Sequence, residues 1–297
     1  MKRIATRFCL AAAAVSLGTV TAFAQGSKPA HANGLLYKIS KKGVERPSYL
    51  FGTFHVICPE DMLPMDKLKG FLGQTDQLVM EVDMDDPSEL MTMGMSMMIP
   101  DGKTLKDFLT TEQYAKVDQM FTNILGQSVD RFKSVKPSLL QVMIVANPKV
   151  LGCMAPSSYD MELMQTAVAG KKPIAGLETL SFQAQMMAVK PMKDQAKELY
   201  EMAENPQKSA DELKLLLKIY KSQDPEQLYK TSDRLATDKA FQARLLDERN
   251  VAWIPKIETA VKEKPSFIAV GGGHLGGKKG VVNLLRARGY KVEPIRL

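Results

Sequence analysis

The chain carries three histidines, and two of them share one setting, an apolar run followed by Gly-x-x-His. Tyr49-Leu-Phe-Gly52-Thr-Phe-His55 is the first instance and Phe267-Ile-Ala-Val-Gly271-Gly-Gly-His274 the second. An imidazole ligates metals when neutral and moves protons near neutral pH, so a matched pair is a chemical signal in a chain this poor in histidine. The third, His31, lies in a polar N-terminal stretch. Acids close other apolar runs: Glu81 and Asp83 in Gln77-Leu-Val-Met-Glu81-Val-Asp83, and Glu178 in Ile174-Ala-Gly-Leu-Glu178. Two imidazoles with one or two carboxylates suit a divalent ion such as Mn, Co or Zn with a position left for water. The same residues suit hydrolysis without a metal, a histidine acting as base and an acid orienting it. One such residue alone is more often a hydrogen-bonded structural group. The set is what carries the reading.

Rival templates fit less well. Gly271-x-Gly273-x-x-Gly276 has the form of a dinucleotide fingerprint, with Glu293 near the place of a ribose-binding acid. It is the last unit of the chain, no further strands follow to complete a nucleotide-binding half, and a histidine interrupts it. Gly272-x4-Gly277-Lys278 resembles a phosphate loop, but Lys279 stands where Ser or Thr would hold magnesium. His-Glu-x-x-His, Gly-x-Ser-x-Gly and Cys-x-x-Cys are absent. With two histidines in the folded body, a three-histidine zinc site is excluded. Met91, Met93, Met95, Met97 and Met98 crowd one short stretch. Thioethers favour Cu(I), although an adaptable apolar surface or flap is the commoner use of such a stretch.

The elements that must position these residues follow from periodicity. Leu35 to Ser40 and Ser48 to Phe54 read as a hairpin, 66–72 as a short helix, and Gln77 onward as a strand buried on both faces. Helical spacing marks 105–125, 138–146 and 157–169, with Thr110, Thr111 and Ser157 as caps. A strand over 171–179 ends at Glu178. Helices are predicted over 179–189, 193–204, 209–221, 225–235 and 238–262, with Pro255 kinking or breaking the last. The strand 266–270, a helix 280–288 and the strand 290–294 close the chain. This order predicts an α/β fold, a central and mostly parallel sheet with a large helical insertion, about 100–262, covering the carboxyl ends of the strands.

The N-terminus reads as a secretory signal: Lys2, Arg3 and Arg7, an apolar core from Phe8 to Val20, and Ala22-Phe23-Ala24 as a cleavage site. The expectation is export to the periplasm or beyond after cleavage behind Ala24, then a flexible segment 25–33 and one domain over 34–297. The apolar core is too short to span a bilayer. Removing residues 1–24 takes three positive charges and no negative one from the formal +7. The mild remainder, with both signs scattered, argues for neither nucleic-acid nor membrane binding. Cys58 and Cys153 form one disulfide in an oxidising compartment or remain two buried thiols.

These motifs, with Glu248-Arg249-Asn250 and Ser158-Tyr-Asp160-Met-Glu-Leu, resemble the TraB/GumN family. That family is related to the membrane-associated TIKI metalloproteases and more distantly to erythromycin-esterase-like and haem-binding ChaN-like proteins. The resemblance implies an α/β sheet with a site that gathers His55, Glu81 and His274. It matches Arg249 and Asn250 to a family Arg-Asn on the long helix before the last Gly-x-x-His strand, and Asp160 to a family acid. It also implies metal-dependent peptidase activity. On this reading His55, Glu81 and His274 bind a divalent metal or activate water, and Arg249 and Asn250 hold a substrate carboxylate or a developing oxyanion. Gly52, Asp83, Asp160, Glu178 and Gly271 are further candidates. The expected function is an exported metal-dependent hydrolase of peptides or small molecules. The alternatives are a non-catalytic protein holding haem, metal or peptide, and a metal-free esterase-like hydrolase.

Overall fold

Apolar runs that alternate with helices cannot pair locally, so they come together as a parallel sheet through crossover connections. In a computed structural model, which describes residues 34–83, 91, 94, 96–188, 190–236 and 238–297, six such runs are strands. They are β1 (Leu36–Ser40), β2 (Ser48–Thr53), β3 (Gln77–Val82), β4 (Ile174–Glu178), β5 (Ser266–Gly271) and β6 (Lys291–Ile295). They form one sheet in the order β4-β3-β5-β2-β1-β6. β4, β3, β5 and β2 are mutually parallel neighbours, whereas β1 runs antiparallel to both β2 and β6. The hairpin and the mostly parallel α/β sheet therefore stand as read. The signal segment, the 25–33 segment, His31, Met93 and Met95 lie outside the described residues.

The four parallel strands send their carboxyl ends to one edge. Glu81 and Glu178 lie at the ends of β3 and β4, and the two Gly-x-x-His turns follow β2 and β5. That edge is where open α/β sheets place ligands. β2, β3 and β5 are buried along their whole length, which explains why their sequences run apolar instead of alternating. One core wraps this sheet, with Phe51, Phe267, Leu78 and Ile268 among its buried members. A second, smaller core lies within the helices and includes Phe121, Leu140 and Leu199. Because β4 joins the sheet at its edge, it divides the helical stretch of about 100–262 in two.

Three local expectations change. A single helix over 105–125 becomes a 3-10 turn at Leu105–Asp107 and a helix at Thr111–Leu125. The reason is a second start signal: Thr110 accepts from the Gln113 N–H and Gln113 reaches back, so the helix begins anew there. Ser157 caps nothing, because its backbone pairs with Ile57 in an isolated bridge and the helix starts at Tyr159. Finally, Pro255 does not break its helix, which runs unbroken as Arg249–Glu263 with Pro255 on the solvent side. The irregularity falls just upstream, in a π turn at Arg244–Glu248.

Cys58 and Cys153 are joined in a disulfide. Together with the Ile57–Ser157 bridge, it fastens the loop behind His55 to the segment that leads into the Tyr159–Ala169 helix. Met98, from the methionine stretch, bridges to Val135.

Gly52 shows how closely the second Gly-x-x-His loop packs on β2. A Cβ there would meet Leu275 Cδ1 at 2.6 Å and Gly272 Cα at 3.0 Å, and Leu275 is fully buried with no room to turn away. Gly52→Ala is therefore expected to cost about 1–3 kcal/mol of stability through overpacking. Urea unfolding checks this, and a midpoint equal to that of the unmodified protein would contradict it.

Candidate functional site

The site is built around one buried guanidinium. Arg249 begins the Arg249–Glu263 helix, directly after the π turn. Its own backbone N–H bonds to the Leu246 carbonyl, so the Leu245 carbonyl, which a regular helix would pair with that N–H, instead accepts from Arg249 Nη1 at 3.0 Å. The Nε and Nη2 groups donate to Glu178, with the shortest contact 2.6 Å, and Nη2 also donates to Glu81 Oε2 at 2.5 Å. Nη1 also faces His274 Nε2 at 3.3 Å. A guanidinium has five N–H donors, and these contacts use them all. Arg249 is thus neither a surface ion-pair residue nor free to hold a substrate carboxylate.

Glu178 is equally committed. It accepts from Arg249 and from the Trp253 indole at 2.9 Å, and Gln183 donates to both Glu178 and Glu81. Glu81 divides its oxygens: Oε2 faces Arg249, while Oε1 accepts the Gly271 N–H at 2.7 Å. Asp83 lies just past the end of β3, half-buried.

His274 is fixed on both nitrogens. Nδ1 donates to Asn250 Oδ1 at 2.7 Å, and the Asn250 amide donates to the His274 and Lys279 carbonyls. Asn250 therefore sets both the shape of the loop and the tautomer of the ring, leaving the Nε2 lone pair on the side of Glu81 Oε1, 3.7 Å away. The Trp253 ring packs 4.5 Å from the imidazole. In contrast, His55 stands at the mouth of the site with its side chain 65% exposed. Its Nδ1 meets Asp160 Oδ2 at 3.0 Å, and Asp160 is in turn held by the Thr53 and Ser158 hydroxyls.

The two Gly-x-x-His histidines are therefore electrostatic opposites. Burial lowers the His274 pKa to about 3, opposed by Glu81 and aided by Arg249 and His55. For His55, the surrounding walls work against the charge, but the hydrogen bond and charge of Asp160, with Glu81 behind, push it up to about 9. Burial also opposes the charge of Glu81, yet His274, Arg249, His55 and the Gly271 N–H bring it down to about 2.

Gly271 supplies the space where these groups meet. A Cβ at Gly271 would lie 3.2 Å from His55 Nε2, 3.3 Å from Glu81 Oε1 and 3.5 Å from His274 Cδ2. Glu81 Oε1 and His274 Nε2 are spaced much as two ligands of one tetrahedral ion would be, roughly 3.4 Å at bond lengths near 2.1 Å. The third corner is more open. Among the described residues, ligand atoms gather within 4.8 Å only at Cys58, Glu60 and Cys153, and there the two sulfurs are bonded to each other. The set thus offers donor types that suit a divalent ion, with Glu81 Oε1 and His274 Nε2 close together and His55 farther off.

A cleft of about 300 Å³ opens over the pair, lined by His55, His274, the Gly271–Gly273 backbone and apolar side chains that include Leu213, Leu216, Leu228 and Leu246. None of the described methionines of 91–98 lines it.

Residues 35–294 match the family model described as the TraB/PrgY/gumN family. The chain belongs to the TraB/PrgY/gumN family. This member is similar to Metalloprotease TIKI1 of Danio rerio, at 22% identity over 88% of this chain and 63% of that protein. It is similar to Metalloprotease TIKI1 of Homo sapiens at 23% over 88% and 62%, and to Metalloprotease TIKI2 of Xenopus tropicalis at 23% over 83% and 57%. The chain spans about three fifths of the length of these curated relatives. No solved structure is significantly similar to it. No helix among the described residues is long and apolar enough to cross a membrane.

For this TraB/PrgY/gumN member, Gln183 and Trp253 complete a site that motif reading left without them. Trp253 carried a usable signal: it is the only tryptophan and stands one helical turn from Arg249, on the same face. Gln183 carried none.

Two outcomes follow from the buried charges. Arg249→Ala leaves Glu81 and Glu178 facing each other unpaired, and the loss is expected to reach about 3–5 kcal/mol. Arg249→Lys restores little of it, since one ammonium cannot reproduce the five-donor fork. Urea unfolding of both variants measures this, and a loss below about 1 kcal/mol would contradict it.

Stability of the metal-free protein should also peak near pH 6.5. His274 is lowered from 6.5 to about 3, so in that window the unfolded chain binds more protons and acid destabilises the fold. Glu81, lowered from 4.5 to about 2, contributes above pH 4.5 and is lost as pH falls through its folded value. His55, raised from 6.5 to about 9, contributes fully below 6.5 and is lost as pH rises through 9. Calorimetric melting across this range tests the profile. His274→Gln should flatten the limb between pH 6.5 and 4.5, where Glu81 does not titrate.

Proposed function

We propose that this protein is an exported metal-dependent hydrolase acting as a peptidase, with His55, Glu81 and His274 holding the divalent ion. The observation that carries the reading is the convergence at Gly271, where the missing side chain leaves His55 Nε2 and Glu81 Oε1 facing one hollow. The charge balance supports it. Glu81, Glu178 and Asp160 bring three acids to the site against Arg249 and a protonated His55, an excess of negative charge that favours a cation. The metalloproteases to which the chain is similar support the reaction class.

When bound, the ion supplies a Lewis acid and a water of lowered pKa. The protein's own residues do the remaining work. Asp160 holds His55 through Nδ1 and so aims Nε2 at the hollow, the carboxylate–histidine arrangement that orients metal ligands. Asn250 holds His274 through Nδ1 as well, which leaves its Nε2 unprotonated. Arg249 positions Glu81, and with an ion on His274 Nε2 one Nη1 hydrogen loses the acceptor it now uses, leaving the Leu245 carbonyl as the remaining Nη1 partner. A substrate group seated against the apolar side chains over the histidines would exclude water from the hollow and strengthen the polar contacts within it.

Metal-free hydrolysis would use His55 as the base, with Asp160 orienting it. A folded pKa of about 9 keeps that ring protonated at neutral pH, which suits a base poorly but allows a ligand that releases its proton on metal binding.

Calorimetric titration with Mn, Co and Zn tests the proposal. About one ion per chain is expected, with affinity lowered by roughly 10-fold or more in His55→Ala and His274→Ala, and by about 10–100-fold in Asp160→Asn through its effect on His55. Binding of none of the three ions, or binding unaltered in both histidine variants, would sink the reading.

A further inference from the structure

We propose that the cleft over the histidines is the near end of a two-part groove for an extended peptide, which seats a large apolar side chain beside the bond to be hydrolysed. This rests on the hydrolase reading and names the substrate class that the same site would take. The floor of the cleft is the Gly271–Gly273 backbone between His55 and His274. Its apolar wall comes from the helical half of the molecule. Leu213 and Leu216 face it from the Pro206–Lys221 helix and Leu246 from the π turn, and all three are only half-buried. Apolar surface left wet inside a concavity is removed from water by an apolar ligand, and binding gains from it. At about 300 Å³, the space lies at the lower end of the ~300–1,000 Å³ range of small-ligand pockets. It has room for one large side chain.

The cleft does not end there. A second cavity, of about 440 Å³, shares Val145, Leu213 and Leu216 with it, so the two meet across one wall. Beyond that wall the lining is mixed, with Gln141, Lys190, Asn205 and Lys208 beside Met202, Leu235 and Phe241. A small ester would need only the first space. A peptide matches both, with an apolar side chain lodged at the histidines and a backbone that finds donors and acceptors among the polar residues of the second cavity. An extended chain advances about 3.3 Å per residue with side chains on alternate sides, so one side chain can fill the apolar pocket while its neighbours point away. Leu213 and Leu216, three residues apart on one helix face, are the specificity-determining residues of this arrangement.

The test uses the full chain with the metal that binds it and a randomised quenched-fluorescent octapeptide library. Leu216→Trp and Leu213→Trp, each of which narrows the shared wall, serve as variants, with thermal melts to confirm that they fold. The expected result is at least about a 10-fold preference in kcat/KM for Leu or Phe over Gly or Asp beside the cleaved bond. In whichever variant folds, that preference should shift toward small residues, and trimming the peptide beyond the apolar residue should lower kcat/KM. Cleavage without the preference, a preference unchanged in both folded variants, or equal efficiency on a simple acetyl ester would overturn the groove and leave the hydrolase reading standing. If no peptide is cleaved with any metal, the hydrolase reading fails, and fluorescence anisotropy with labelled Leu- and Phe-containing octapeptides decides the groove. Binding that weakens in Leu216→Trp upholds it, and the absence of binding overturns it.

Discussion

A charged guanidinium shut inside a protein must find a partner for every donor, and at Arg249 that requirement organises the site. Leaving water costs several kcal/mol per ion and is recovered only through close geometry and full hydrogen bonding. Arg249 recovers it from Glu81, Glu178, the Leu245 carbonyl and His274. Each partner comes from a different element: β3, β4, the π turn and the loop after β5. The arrangement therefore locks the carboxyl ends of the parallel strands to the long helix beneath them. The π turn belongs to the same constraint, because it frees the carbonyl that the guanidinium takes. Trp253 and Gln183 complete it by filling acceptor positions on the two carboxylates.

From that frame the difference between the histidines follows. His274 is part of the locked cluster, neutral, with its tautomer set by Asn250. His55 belongs to the opposite wall, exposed and paired with an acid from the Tyr159–Ala169 helix. Two motifs that look alike in sequence thus provide one buried, fixed imidazole and one exposed one. Spacing cannot distinguish them, because Gly-x-x-His fixes only where a turn falls. Burial and partners are decided by residues about 24 and 105 positions away in the chain.

That separation also marks how much the sequence could reveal. The strands and their mostly parallel order were legible, because burial on both faces leaves continuous apolar runs and glycines mark close turns. That His55, Glu81 and His274 gather at one edge was what the family resemblance implied. The disulfide was legible only as one of two options. The role of Arg249 was not, since its partners at positions 81 and 178 are distant and a surface ion pair with Asp247 or Glu248 is equally consistent with the local sequence. The helix start at Thr110 was legible as a cap, whereas apolar spacing that continues across it hid the separate turn at Leu105–Asp107. Pro255 shows the opposite case: the helix continues through it, with the residue facing solvent, where the carbonyl left without its N–H partner meets water. Leu213 and Leu216 could not be told from core leucines, because an amphipathic helix shows the same spacing whether its apolar face meets a core or a cleft.

The placement of His55 joins these threads. Its tethers are the Asp160 contact, the Ile57–Ser157 bridge and the Cys58–Cys153 disulfide, and all three lead to the segment 153–160, not to the Arg249 cluster. The cluster fixes Glu81 and His274 against each other to within 3.7 Å, while the separation of His55 from them depends on how that segment sits on the sheet. A disulfide and a bridge restrict the loop without burying the ring, which Asp160 holds from Nδ1. Such a site has two corners set by buried charge and a third set by a braced, solvent-facing loop.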